Sequence, residues 1–179
     1  MTPRTVSVLL DDQLLSLNRA VGILRRRNVP IDSISVGPAQ AAGLARLTVT
    51  LSADGATVDR MVKQLRKMVG VRQAVTFAGD QGVTRELALI KVRPPHHRFA
   101  EVLDTVQLFG ASVADEGPTE IIVEVAGSGP MILSLLRALE PFGIVEAARS
   151  GSIALERAEP ARAELAGATR GQPFEDHLP

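Results

Sequence analysis

Apolar residues along this chain switch period in a set order, from two to about 3.6 and back, and the full order of switches occurs twice. Ser7 to Leu10 is a short apolar run with β-branched character. It stops at Asp11-Asp12, whose side chains favour turns and helix caps. From Ser16 onward Leu17, Ala20, Val21 and Leu24 recur at helical spacing and define one face, with Arg19, Arg25 and Arg26 on the other. The helix is expected to end at Asn28, since Asn tolerates a left-handed C-terminal position and Pro30 cannot supply an interior helical N–H. Ile31 to Val36 then reads as strand.

A turn-rich stretch from Gly37-Pro38 to Gly43 leads into Ala45 to Leu51, where Leu47, Val49 and Leu51 alternate with Arg46, Thr48 and Thr50 as in a half-buried strand. Asp54 can cap the next helix, whose apolar stripe is Val58, Met61, Val62, Leu65 and Val69. Gly70 closes it, and Val71 to Phe77 is a further strand, which completes a βαββαβ order. The small, polar, aperiodic stretch from Ala78 to Thr84 has the make-up of a linker.

The second half repeats the order. Arg85 to Val92 is a strand broken by Pro94-Pro95, and Phe99, Val102, Leu103 and Val106 form a helical stripe closed by Gly110. Ala111 to Asp115 and Glu120 to Val125 flank a Gly117-Pro118 turn, which reads as a hairpin. Ser128 caps a helix that tolerates Pro130 in its first turn and buries Ile132, Leu135, Leu136 and Leu139. Beyond Gly143, Ile144 to Arg149 and Ser152 to Leu155 supply closing strands. In each half the helices cover one sheet face, and the opposite face still needs cover. The expected fold is α+β, two βαββαβ domains over residues 1–77 and 85–157, joined by a linker at 78–84 and followed by a disordered tail at 158–179.

Composition narrows the function. A hydrophobic content of 45% with 22% charged residues belongs to a globular protein. The absence of Cys excludes a disulfide framework, a thiolate metal site and a Cys nucleophile, and fits a reducing, cytoplasmic setting. No signal-peptide pattern and no bilayer-length apolar run are present, so neither secretion nor a membrane partner is expected. Formal net charge is zero, and Thr5 to Leu10 and Ala45 to Leu51 carry no aromatic residue on which a base could stack, so no nucleic-acid partner is expected. The loop after the first strand, DDQLLS, has no Gly and two anions, unlike a phosphate-cradling catalytic loop. His96-His97 lack a third ligand at metal-site spacing, and Arg25-Arg26-Arg27 suit the last turn of a helix. Asp11-Asp12 have no nucleophile partner at a recognisable spacing, so turn and cap chemistry is the favoured reading. What remains is a binding or regulatory module.

Four stretches carry a family resemblance. Leu44-Ala45-Arg46-Leu47-Thr48-Val49, Lys63-Gln64-Leu65-Arg66-Lys67-Met68-Val69 and Arg85-Glu86-Leu87-Ala88-Leu89-Ile90-Lys91-Val92 are followed by Gly143-Ile144-Val145-Glu146 with Arg149-Ser150-Gly151-Ser152-Ile153-Ala154-Leu155. Together, from Arg4 to Arg157, they resemble the regulatory (small) subunit of acetolactate synthase, also called acetohydroxyacid synthase. The resemblance implies an N-terminal ACT domain and a C-terminal ferredoxin-like domain. It implies a non-catalytic protein that forms homodimers through its ACT domains, binds the catalytic (large) subunit and activates it in branched-chain amino acid biosynthesis. The thiamine diphosphate chemistry on pyruvate belongs to that catalytic subunit, so no cofactor is expected here.

The resemblance also implies feedback by valine through a loop with an Asn, a Gly three residues on, and a second Asn before the second strand. The matching positions here are Asp12, Leu15 and Pro30, and all three differ. Ser16, Leu17 and Ile31 fill the neighbouring positions, so the frame of the effector site persists while its polar contacts do not. Valine feedback is therefore expected to be weak or absent. A free-standing ACT-type amino-acid sensor acting on another enzyme is the alternative, but it gives no reason for the stretches at Arg85 to Val92 and Arg149 to Leu155.

Overall fold

The computed structural model describes residues 3–26, 29–77 and 81–158. The first half runs β1 (Pro3–Asp11), α1 (Leu14–Arg26), β2 (Ile31–Pro38), β3 (Leu44–Ser52), α2 (Gly55–Arg66) and β4 (Val71–Phe77). Its antiparallel sheet has the order β2-β3-β1-β4. Alternate residues of the central strand, Val6, Val8 and Leu10, stand opposite Val49, Leu47 and Ala45 on β3. With Ala20 and Leu24 of α1 and Val58, Met61 and Leu65 of α2 they form one buried cluster. At about 1.5–3 kcal/mol for each fully buried large aliphatic, this stripe-on-sheet contact holds both helices to one face. Asp54 caps α2 as expected, accepting from the N–H and hydroxyl of Thr57 at 2.8 and 2.7 Å. Those bonds, the hydroxyl first, hold its carboxyl below the usual carboxylate range.

Three local expectations change. Helix α1 begins at Leu14 and buries Ser16, Ala20, Ile23 and Leu24, whereas Leu17 and Val21 are half-buried at the side of the stripe. The expected end of that helix, at Asn28, lies outside the described residues. Val69, expected on the buried stripe of α2, is 80% exposed. The helix stops at Arg66, the Lys67 N–H bonds back to the Gln64 and Leu65 carbonyls, and the tight turn ends at Gly70 with φ +89°. That turn throws Val69 outward. Strand β2 runs through to Pro38, which narrows the expected turn to residues 39–43.

The second half runs β5 (Gly82–Val92), α3 (Phe99–Leu108), β6 (Ser112–Glu116), β7 (Ile121–Gly127), α4 (Gly129–Leu139), β8 (Ile144–Arg149) and β9 (Ile153–Glu156). Its sheet has the order β6-β7-β5-β8, so each half is a ferredoxin-like βαββαβ unit. Ala88, Ile90 and Val92 of β5 stand opposite Val125, Val123 and Ile121 of β7 and pack on Val102, Val106, Ile132, Leu135 and Leu139. Leu103, read as part of the α3 stripe, is 38% exposed at its margin.

Strand β5 begins three residues earlier than the periodicity predicts. Gly82, Val83 and Thr84 pair with Glu156, Leu155 and Ala154 of β9, a partner so distant in sequence that local composition gives no sign of it. β9 continues the ladder of β8 past an irregularity at Ser150-Gly151-Ser152. There the Leu87 N–H donates to the Ser150 hydroxyl at 3.0 Å, and the Ser150 N–H donates to the Leu87 carbonyl at 2.9 Å. A side chain thus stands in for a missing backbone acceptor. Beside it the Arg149 guanidinium holds the buried Glu86 carboxylate through bonds of 2.6 and 2.9 Å.

The ribbon of β9 and the start of β5 lies against the helix-free face of the first sheet. Ser7 and Thr48 on that face are 1% exposed, and Ala154 on the ribbon is 2% exposed. The Ser152 N–H donates to Ser33 Oγ at 3.3 Å, and Ser33 Oγ is 2.6 Å from Thr50 Oγ1. Cover for the first sheet therefore comes from the second half of the chain. The expected tail reaches beyond the described residues, which end at 158.

Candidate functional site

The β1–α1 loop is pinned by backbone bonds to two neighbouring loops and by one bond of its own. The Asp11 N–H donates to the Gly70 carbonyl at 2.7 Å, the Asp12 N–H to the Gly43 carbonyl at 2.8 Å, and the Gln13 N–H to the Asp11 carbonyl at 2.8 Å. The Asp11 carboxylate holds Arg72 at 2.9 Å. Asp11 is therefore a brace between β1 and β4, and both Asp N–H groups are committed to neighbouring loops. After Gln13 the helix begins, and the first-turn N–H groups of α1 have no intrahelical acceptors. Helix geometry makes that end the anion-favouring part of the loop.

The expected site residues divide into two places. Leu15 is 56% exposed beside Leu14 at 75%, so the loop presents two aliphatic side chains to solvent where a close backbone approach was anticipated. Ser16 points the other way. It is 5% exposed, and its hydroxyl lies so near Gly70 that a Cβ there would meet it at 2.6 Å. Leu17 is half-buried against the core. Asp12 is exposed.

Pro30 and Ile31 stand elsewhere. Ile31 pairs with Leu51 on β3, whereas Asp11 pairs with Leu44 at the other end of the same strand. At about 3.3 Å per residue the two groups are roughly 23 Å apart along the sheet. One chain does not bring Asp12, Leu15 and Ser16 together with Pro30 and Ile31. Beside Ile31 a cleft of about 370 Å³ is lined by Val21, Leu24, Arg25 and Val29. Sequence reasoning missed Gly43, Gly70 and Arg72 as the frame of the loop; only the Gly residues, which mark turns, gave any signal.

The geometry is that of a ferredoxin-like βαββαβ unit, a fold that unlike functions share, and the comparisons decide its family. Residues 7–73 match the model for an AHAS small subunit-like ACT domain, and residues 85–158 match the model for the small subunit of acetolactate synthase. A relative from Mycobacterium bovis, the acetolactate synthase small subunit, is 38% identical over 159 residues, covering 88% of this chain and 95% of its own. This chain belongs to the acetolactate synthase small-subunit family.

Another family member, the acetolactate synthase small subunit of Bacillus subtilis, is 37% identical over 142 residues, covering 79% of this chain and 83% of its own. The crystal structure of the acetolactate synthase small subunit from Thermotoga maritima superimposes with a TM-score of 0.82 at 27% identity. It covers 89% of this chain and 100% of that one. The first half is thus the ACT domain of the family, and the second half is the ferredoxin-like domain of its small subunits. No helix among the described residues is long and apolar enough to cross a membrane.

Proposed function

We propose that this small-subunit family member is a non-catalytic regulatory chain that binds and activates an acetolactate synthase catalytic subunit in the cytoplasm. The observation that carries the reading is the family match across both halves, since the second half has no use in a free-standing sensor. Its working form is a homodimer through the ACT domains. Strand β2 is a sheet edge whose Ile31, Ile34 and Val36 are 38%, 41% and 45% exposed, an association surface if left uncovered. Antiparallel pairing of two such edges about a two-fold axis sets Pro30 and Ile31 of one copy near the Pro38 end of the other. This shared placement accounts for effector residues that lie far apart in one chain.

Valine feedback is weak in this reading. Asp12 brings a negative charge toward the ligand carboxylate, Leu15 crowds the backbone, and Pro30 has no N–H to donate. Co-purification with an acetolactate synthase catalytic subunit, followed by activity measured with and without valine, tests the proposal. A stable complex with raised activity is the expected result. A chain that neither binds nor activates that subunit overturns it and leaves a free-standing amino-acid sensor as the alternative.

A further inference from the structure

The ACT domain carries an excess of positive charge that its own carboxylates do not balance. Residues 1–77 hold eleven Lys and Arg against five Asp, whereas residues 85–157 hold seven Lys and Arg against ten Asp and Glu. On the first helix Arg19, Arg25 and Arg26 are exposed and none has a carboxylate partner among the described residues. Lys63 and Lys67 extend the positive surface on α2 in the same way.

Between the two helices a groove of about 350 Å³ is lined by Arg19, Gly22, Ile23, Arg25, Arg26 and Met68. Gly22 sits inside α1, where glycine weakens a helix. A Cβ at that position would meet nothing within 4 Å, so packing within this chain does not demand a glycine. The space over it is open to a side chain from outside. The floor, Ile23 and Met68, is apolar, and Val69 projects into solvent next to it.

Resting on the proposed regulatory function, we infer that this groove is where the catalytic subunit docks, through an acidic segment that seats an apolar side chain over Gly22. Two other surfaces of the ACT domain already have uses. Its helix-free face is covered by the β5/β9 ribbon, and its β2 edge lies beyond the Val21, Leu24 and Ile31 side of α1, away from Met68. A polyanion such as RNA fits less well. Phe77 is the one aromatic residue in residues 1–77, so the groove has no platform for bases, and its apolar floor suits a side chain.

The test is titration of the full-length protein into the catalytic subunit across a salt series, with Gly22→Leu and the double variant Arg19→Glu/Arg26→Glu beside the wild type. Gly22→Leu fills the groove without touching charge, and it should melt at the same temperature as the wild type or higher because leucine favours helix. Both variants are expected to bind the catalytic subunit at least about tenfold more weakly, with the salt dependence reduced in the charge variant. Unchanged affinity in both overturns the inference while the regulatory reading stands. Variants that keep the catalytic subunit but lose a single-stranded RNA probe, or that change self-association alone, overturn it in favour of those occupants. A wild-type chain that does not bind the catalytic subunit brings down the underlying reading too.

Discussion

Gly151 of the second half packs on Ser33 of the first so closely that a Cβ on the glycine would lie 3.2 Å from the Ser33 Cβ. Gly151 also has φ +73°, a left-handed conformation that an L side chain adopts at a cost. Gly151→Ala should therefore destabilise the protein by about 1–3 kcal/mol, from backbone strain and from lifting the ribbon off the first sheet. Ser33→Ala removes the acceptor of the Ser152 N–H without adding bulk, and should cost about 1 kcal/mol. Chemical denaturation of both variants and of the double variant checks this. Additive effects, with no coupling between the two positions, would show that the contact is not what Gly151 protects.

The ion pair between Arg149 and Glu86 gives a second prediction. Glu86 is 5% exposed while Arg149 is 38% exposed, so removing the arginine strands a buried carboxylate, although solvent reaches part of the site. Arg149→Ala should cost about 2–3 kcal/mol, less than the loss of a fully buried pair. Arg149→Lys should recover only part of it, since an ammonium cannot reproduce the two parallel bonds at 2.6 and 2.9 Å. Thermal melts of the three proteins decide it, and an Ala variant as stable as wild type refutes it.

A third prediction concerns the edge of the ACT sheet. Ile34 and Val36 stand opposite Val49 and Leu47 on β3, yet they are 41% and 45% exposed because α1 does not reach over the edge strand. Ile34→Glu with Val36→Glu should convert a dimer to a monomer in sedimentation at micromolar concentration. The monomer should still unfold cooperatively but at a lower melting temperature, because the stability contributed by association is lost and each side chain is more than half covered within one chain. A wild-type chain that sediments as a monomer would exclude the dimer outright.

Most of this fold was legible in the amino-acid order because its helices and strands bury alternate or helical-period residues, and Val58, Met61 and Leu65 or Ile121, Val123 and Val125 leave little choice. The β9 ribbon was legible only as a strand. Its packing on Ser7 and Thr48 depends on a partner about a hundred residues away, and two small polar residues on a sheet read as solvent-facing until that partner arrives. Val69 was misplaced because a helical period does not announce its end, and only the turn at Gly70 fixes it. For the loop, the family resemblance implied that Asp12, Leu15 and Pro30 belong to one motif, but strand register separates Pro30 from the other two by the length of β3.

That separation shapes the last prediction, on valine. Leu15, 56% exposed, and Asp12 stand at the start of α1, whose first-turn N–H groups still favour a carboxylate, so in the proposed reading the chain keeps one half of an effector site. The groups missing are an amide at position 12, an open backbone at 15 and, across the proposed dimer edge, an amide at 30. Losing two or three hydrogen bonds to charged groups, at roughly 1.5–3 kcal/mol each, weakens binding more than a hundredfold. Wild-type protein should then show no valine binding at tens of micromolar by calorimetry. Asp12→Asn with Leu15→Gly and Pro30→Asn should restore it, and Asp12→Asn with Leu15→Gly alone should restore only part, since the remaining donor comes from the other copy. Adding Ile34→Glu and Val36→Glu to the triple variant separates the ideas. If that monomeric protein binds valine as tightly as the dimeric triple variant, the site does not span two copies and the six residues do not act together.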